Sequence, residues 1–363
     1  MNPIQIGFLG FGWRAKGYVK AMEQRPDLVR IAGIYIRNKS KAEEEEQKYP
    51  GMVDTDLENF LERKMDFVLL AVPRNCALDY LKRLSDKNIP VLCETPPGAN
   101  VEELIECWRL KEKKGAKIQV AEQYFLQPYH GACQKMVESG MLGNVNNLSI
   151  SMIHDYHGIS MMRRYLGVGF ESCNIRGRSF TFPVRGNCDR GGLYQDRKEE
   201  IQDVRKRADF VFESGKVGFY DFSGEQYFNY YRSRHIRIQG TCGEICDNQT
   251  VYLGEDGFPV MGQLIREDLG RDSNLEGFSL RRITMNGKEL YRSPFADQPF
   301  ARLSDDEIAM LNLLTRMKEY LEGKGEAYAL EEALQDTYLT FLMNESIRTG
   351  KEVRAERMPW AKI

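Results

Sequence analysis

The chain is poor in the side chains that most often hold metals or shuttle protons. It has four histidines, and its eight cysteines form no Cys-x-x-Cys pair. Cys93, Cys107 and Cys133 fall inside apolar segments, where buried free thiols and a reducing, cytoplasmic compartment are expected. No apolar run approaches the ~20 residues of a membrane span. The start, Met1-Asn2-Pro3-Ile4, shows neither a basic n-region nor a cleavage site, so no secretory leader is expected. A formal net charge of −2 leaves no electrostatic case for nucleic acid or an anionic membrane as partner. No internal repeat is evident.

What is there reads as a globular protein: hydrophobic content is 42% and charged content 29%, and 363 residues suffice for two domains with sizeable cores. The organising stretch is the first twenty residues. An apolar strand, Ile4 to Leu9, runs straight into Gly10-Phe11-Gly12-Trp13-Arg14-Ala15 and then a helix through Tyr18, Val19 and Met22. Gly10 lets the backbone turn off the strand, Gly12 has no Cβ to block a pyrophosphate, and Ala15 lets the helix pack close. The helix N-terminus then faces the phosphates with free N–H groups and the positive end of its dipole. Gly10, Gly12, Trp13 and Arg14 are therefore candidate dinucleotide-binding residues. An arginine just after Gly12 has no obvious structural reason to be there, and it suits either the pyrophosphate or a substrate.

A second strand, Leu28 to Ile36, ends in Arg37-Asn38-Lys39 where an NAD site would carry an acid for the ribose hydroxyls. An arginine in that place suits a 2′-phosphate, so the cofactor reads as NAD(P) with a slight lean to NADP. The other reading of Arg37 is a solvated strand end. The four glutamates between Lys41 and Lys48 read as an exposed helix face. Met65 to Val72 is a near-continuous apolar run, closed by Pro73, and is followed by a helix and the short strand Pro90 to Cys93. Strand alternating with helix at this rhythm implies a doubly wound parallel sheet. Right-handed crossovers then gather the loop Gly10 to Arg14, Arg37, Val72-Pro73 and Glu94-Thr95 on one rim.

At Cys93-Glu94-Thr95-Pro96-Pro97 the chain resembles the Gfo/Idh/MocA family of glucose-fructose oxidoreductase and inositol dehydrogenase relatives. The likeness continues through Val120-Ala121-Glu122-Gln123-Tyr124 with Pro128, Ser139 to Val145, Phe212 to Gly218, Ile238 to Glu244 and Ser346 to Val353. The resemblance implies an α/β architecture, with a Rossmann domain over residues 1–122 and a substrate-binding and oligomerisation α+β domain with an open antiparallel sheet over residues 123–363. It also implies a homo-oligomer, a dimer or tetramer pairing through that sheet, and a carbohydrate-like substrate. Val72, Pro73, Glu94 and Gln123 would then join the cofactor site. The family's usual Glu-Lys-Pro carries a lysine by the reacting hydroxyl, and this chain has Thr95 there. The family's His-x-x-Asp is matched by His157-Gly158-Ile159-Ser160, with Ser160 in place of the acid. Threonine neither carries a positive charge nor exchanges a proton near neutral pH.

Hydride transfer from a secondary alcohol needs a group to take the hydroxyl proton. His154 and His157, at the end of an alternating strand and the start of a helix, supply candidates, and His157 is chosen as the acid-base group. Thr95 and Tyr124 complete the catalytic set, with Tyr156 a further relay candidate. Asp155 reads as a helix cap or as the group orienting an imidazole. His154, Asp155 and His157 lack a fourth ligand at useful spacing, so no metal is assigned. Arg163 and Arg164 point in two directions, so at most one of them faces a site. Arg163, with Asp155 and Ser160, is a substrate-binding candidate, though surface pairing with an acid fits an arginine there equally well.

Further on, Asn174 to Arg190 reads as strand, loop and a second strand at Phe180-Thr181-Phe182. Ala208 to Ser223 reads as an antiparallel hairpin turning at Ser214-Gly215-Lys216. The aromatic and basic run from Tyr227 to Arg237 reads as sugar-cleft lining or sheet packing, and Gly254 to Pro299 as a partly ordered excursion. Ser304 with Glu307 forms a capping box for a helix from Asp305 to Gly323, and a last helix spans Leu330 to Thr349. Three functions stay open: an oxidoreductase acting on a sugar or polyol hydroxyl, an NAD-dependent glycoside-cleaving enzyme that oxidises the sugar transiently, and a cofactor-binding regulatory protein without turnover.

Overall fold

The computed structural model describes residues 2–189, 191–193, 200–269, 279–298 and 301–361. The chain divides into two compact units. One comprises Met1–Gly131, Arg266–Arg282 and Tyr291–Leu334, and the other Ala132–Ile265, Ile283–Leu290 and Gln335–Ile363. Among the described residues no helix is long and apolar enough to cross a membrane.

The first unit is built on six parallel strands: β1 (Ile4–Leu9), β2 (Val29–Tyr35), β3 (Val53–Asp54), β4 (Phe67–Leu70), β5 (Val91–Cys93) and β6 (Ile118–Val120), in the order β3-β2-β1-β4-β5-β6. The order reverses between β1 and β4, the switch point at which doubly wound sheets hold ligands. Ile6, Phe8, Leu9 and all of β4 and β5 are buried, as apolar runs covered on both faces must be. Between the strands run α1 (Trp13–Glu23), α2 (Lys39–Glu46), α3 (Leu57–Leu61), α4 (Arg74–Asp86) and α5 (Val101–Lys114). The glutamate run on α2 is more than a solvated face. Glu45 is buried against Lys16 at 2.5 Å, and Glu46 accepts the backbone N–H groups of Gly51 and Val53.

After α6 (Pro128–Glu138), the second unit is organised by β7 (Val145–Ser151), the helix α7 (Asp155–Leu166) and β8 (Cys173–Arg185). A small ribbon, β9 (Cys188–Asp189) with β10 (Gly192–Leu193), follows. Next come β11 (Glu200–Phe212), β12 (Val217–Ser223), β13 (His235–Gly240), β14 (Gly243–Cys246), β15 (Gln249–Leu253) and β16 (Pro259–Gln263). With β20 (Val353–Arg354) from the chain end, after β17 (Ile265–Leu269), β18 (Ser279–Met285) and β19 (Lys288–Arg292), these make a nine-stranded sheet. Its order is β16-β15-β14-β13-β7-β12-β11-β8-β20, antiparallel except between β7 and β12. One face carries Ile150, Ile175, Phe210, Tyr220, Ile236 and Ile238, all buried. Against it, Met162 of α7 closes on Gly218, and Ile347 of α9 (Leu330–Thr349) closes on Gly177. The other face is open, with Arg176, Arg178, Phe180, Arg207, Phe219 and Arg237 exposed. It holds a shallow depression of about 790 Å³.

Three expectations change. Phe180-Thr181-Phe182 is not a separate strand but the middle of β8, which pairs with β11 from Cys173 to Arg185. Its arginines belong to a strand with one wet face, not to a loop; Arg190 lies outside the described residues. The stretch from Gly254 is not an excursion either, since β15 and β16 extend the large sheet and β17, β18 and β19 form a three-stranded sheet. Residues 270–278 and 299, within that expected excursion, lie outside the described residues. Finally, a single cut after residue 122 does not describe the units. α8 (Asp305–Leu321), with the Ser304–Glu307 capping box formed in both directions, belongs with the nucleotide-type sheet. Lys20 meets Glu307 at 2.9 Å and Lys318 meets Asp66 at 2.7 Å, while Gln119 bridges to Ala329.

Candidate functional site

In the first unit the loop after β1 has the geometry that its glycines require. Gly10 sits at φ +87°, and a Cβ there would lie 2.4 Å from the carbonyl oxygen of Ala71, so neither the conformation nor the space admits a side chain. Gly12 has ordinary backbone angles and caps α1, and no atom lies within 4 Å of where its Cβ would be. No side chain caps α1 and its first turn holds no acid, which leaves that end electropositive. Trp13 is 62% exposed beside it. Arg37 is exposed at the end of β2 and makes no ion pair among the described residues. Asn38, by contrast, is spent capping α2 through the Lys41 N–H. Val72 is half-buried and Pro73 exposed, at the N-cap of α4.

Arg14 has a structural explanation that the sequence does not show. Its Nε donates to Glu94 Oε1 at 3.1 Å, its Nη1 reaches Asp306 Oδ2 at 3.5 Å, and its guanidinium lies 5.1 Å from the Tyr18 ring. Burial works against the charge on Arg14, but Glu94, Tyr18 and Asp306 outweigh it and hold the guanidinium above its usual range. Burial, followed by the Glu94 charge, pushes the Tyr18 phenol up. The other Glu94 oxygen accepts the Thr95 N–H at 3.3 Å, just before the cis Thr95-Pro96 bond. Asp306 Oδ1 takes two amides, Gln123 Nε2 at 3.2 Å and Gln127 Nε2 at 3.3 Å. Gln123 Oε1 is buried with no hydrogen-bond partner among the described residues. Tyr124 follows, half-buried, its N–H held by Glu122. An uncapped helix end, a glycine open to its surroundings and an orphaned buried acceptor together fit a dinucleotide.

The second unit brings the histidines together. His154 is the N-cap residue of α7, its ring centroid lies 4.9 Å from that of His157, and the Tyr156 ring packs at a tilt against His157 with centroids 4.4 Å apart. The Tyr227 hydroxyl meets both the His154 N–H (3.0 Å) and Nδ1 (2.6 Å). His157 and Ser160 are buried.

Asp155 does neither job expected of it. It sits at φ +39°, a left-handed backbone held by its N–H to the Tyr220 hydroxyl at 2.7 Å, and its carboxylate binds Lys206 at 2.9 Å. Lys206 also donates to Asn344 at 2.9 Å. Arg163 is not available to a substrate. It is 3% exposed, pairs with buried Asp336 at 2.6 Å, and gives two further donors to the Gly169 carbonyl. The surface pairing considered for it is instead a buried pair across 173 residues.

Sequence reasoning missed Asp306, Gln127, Lys206 and Tyr227 as partners. Asp305-Asp306-Glu307 reads only as an acidic first turn complementing a helix dipole. Tyr227 was visible only as one of an aromatic run.

Residues 4–122 match the model of the GFO_IDH_MocA family, described as "Oxidoreductase family, NAD-binding Rossmann fold". An inositol 2-dehydrogenase of Mycolicibacterium smegmatis is 25% identical over 146 residues, 39% of this chain and 42% of the relative, so the match spans less than half of that protein's length. Levoglucosan dehydrogenase in its apo form shares the fold at a TM-score of 0.68 and 16% identity, covering 99% of this chain and 100% of that one. An oxidoreductase from Agrobacterium radiobacter, solved with NAD+, L-tartaric acid and magnesium, gives 0.67 at 15% identity, covering 96% and 98%. At such identities these two structures speak for the fold alone.

Proposed function

We propose that the chain is an NAD(P)-dependent oxidoreductase of the Gfo/Idh/MocA kind, whose family model its residues 4–122 match, acting on a hydroxyl or keto group of a sugar, polyol or related small molecule. The observation that carries the reading is the Gly10–Gly12 loop with its uncapped helix end. Gly12 and the first turn of α1 would hold the pyrophosphate, Trp13 flanking it, while Val72 and Pro73 would lie along the dinucleotide. Glu94, Thr95 and Gln123 would hold the nicotinamide end, Arg14 acting by fixing Glu94. Arg37, a cation with no ion pair among the described residues where an acid would select NAD, favours NADP. When bound, the nicotinamide supplies or accepts the hydride; the chain must orient it and move the proton. That second task falls to His157, with Tyr124 and Thr95 as hydrogen-bonding groups and Ser160 close in sequence. A reducing cytoplasm suits eight free thiols. The open face of the large sheet, with Phe180 and Phe219 exposed, suits pairing with a second copy.

Fluorescence titration of the purified chain with NADH and NADPH, repeated on Arg37→Ala, tests this. Tighter NADPH binding that the variant loses is expected, and folded protein that binds neither dinucleotide refutes it. A second reading, binding without turnover, is favoured by Thr95 in place of lysine and by Asp155 being bound to Lys206. Tight cofactor binding with no oxidation of any sugar or polyol, unchanged in His157→Ala, would select it.

A further inference from the structure

We infer that Asp306 is a positioning residue for the cofactor. It turns the Gln123 carboxamide so that its oxygen receives an N–H of the carboxamide on a bound nicotinamide. The inference rests on the dinucleotide reading above and specifies one contact within it.

Gln123 is 3% exposed, so its polar atoms have little recourse to water. Its Nε2 donates to Asp306 Oδ1 at 3.2 Å. A carboxylate only accepts, and an amide has donors on one branch and an acceptor on the other. Asp306 therefore permits one orientation of the Gln123 amide, with the oxygen turned away from it. Asp306 is itself held: Gln127 donates to the same oxygen at 3.3 Å, and Arg14, clamped by Glu94, approaches the other at 3.5 Å. The neighbouring donors are thus committed to carboxylates, while Gln123 Oε1 is left buried without a partner among the described residues. Buried acceptors in native proteins are nearly always satisfied, so an orphan of this kind needs a source for its donor.

The place of Gln123 in the fold says which source. It lies three residues past the end of β6, and the loops of β5 and β6 fall on the far side of the β1–β4 switch point from Arg37. A dinucleotide laid across that point, with its adenosine ribose at the end of β2, puts its second half there. The donor that a nicotinamide offers is its carboxamide N–H₂. Because Oε1 is shielded, the side chains over it must part as the ring enters, and the bond then forms away from competing water.

The test is binding, not turnover. The purified full-length chain is titrated with the preferred reduced dinucleotide, with its 3-acetylpyridine analogue, which keeps the carbonyl but has no N–H, and with its thionicotinamide analogue, which keeps the N–H. Losing one hydrogen bond to a buried acceptor should weaken the acetylpyridine analogue about tenfold, while the thio analogue stays within about twofold of the parent. Asp306→Asn, whose amide can accept or donate, frees Gln123 to turn over and should shrink the tenfold preference. Gln123→Met should erase it, and thermal melts of both variants confirm folding. Equal binding of all three dinucleotides by the unmodified chain overturns the inference, as does full discrimination in Asp306→Asn. If no dinucleotide binds at all, the oxidoreductase reading falls with it; binding without discrimination sinks the Gln123 contact alone.

Discussion

Alanine at Gly10 and alanine at Gly12 should separate folding from binding within one loop. At Gly10 the φ of +87° costs a residue with a Cβ about 1–2 kcal/mol. The new Cβ also meets the Ala71 carbonyl oxygen at 2.4 Å and its carbon at 2.9 Å. Backbone cannot swing aside as a side chain can, so relief requires the end of β4 or the loop to move, at about 1–3 kcal/mol. The two add to about 2–5 kcal/mol, or a melting temperature lower by roughly 5–20 °C for a unit of this size. Gly12→Ala meets none of this: its angles are ordinary and no atom lies within 4 Å. Reduced chain entropy in the unfolded state, about 0.4–1 kcal/mol, is offset by the poorer cap that alanine makes, and the melt should barely change. The methyl instead stands where a pyrophosphate would rest, and overpacking of about 1–3 kcal/mol weakens NADH binding roughly five- to hundredfold. Melting curves without ligand and NADH titrations of both variants check the pair. Gly12→Ala binding NADH as tightly as the unmodified chain would refute the phosphate role of the loop, and an unchanged melt of Gly10→Ala would refute the packing argument.

Other consequences follow from buried charge. Removing one partner of the Arg163–Asp336 pair, both members almost fully buried, should cost about 3–5 kcal/mol in urea unfolding by circular dichroism, because the survivor is left a buried charge without this opposite charge beside it. Arg163→Met combined with Asp336→Leu should cost clearly less than the two singles together, and simple additivity would show that the pair is not coupled. His130 is 2% exposed, and burial lowers its imidazole from the ordinary 6.5 to about 4. The unfolded chain then binds a proton before the folded one does. The stabilisation is complete above pH 6.5, is lost as pH falls toward 4, and amounts to about 3 kcal/mol at most. Unfolding free energies measured from pH 7.5 to 4 should show that slope and lose most of it in His130→Phe; an equal slope in the variant sinks the assignment.

How much was legible in the sequence follows from how far each signal reaches along the chain. The β1–loop–α1 unit, the parallel strands and the Ser304–Glu307 box are written within a few consecutive residues, and all are found. Scarcity singled out His154 and His157, and the structure places their rings together. The network around Arg14 was not legible, because Asp306 stands 292 residues away and its own neighbours mark it only as part of a helix start. Asp155 misled for a different reason: its left-handed backbone points the carboxylate at Lys206, which no local propensity announces. The arginine- and glycine-rich β8 read as partly loop because a strand with one wet face tolerates such residues there, while Gly177 makes room for Ile347.

The return of α8 to the first unit also governs the order in which the protein can be completed during synthesis. Val120 gives its N–H to the Tyr328 carbonyl, Gln119 bridges to Ala329, and α1 receives Glu307 through Lys20. A ribosome that has made all six parallel strands has thus not yet made the partners for their outer strand or for the first helix. Those arrive only as the chain approaches Leu334 of 363 residues. The segment that opens the sequence must stay partly uncovered through most of translation, in a chain where domains ordinarily fold in the order they emerge.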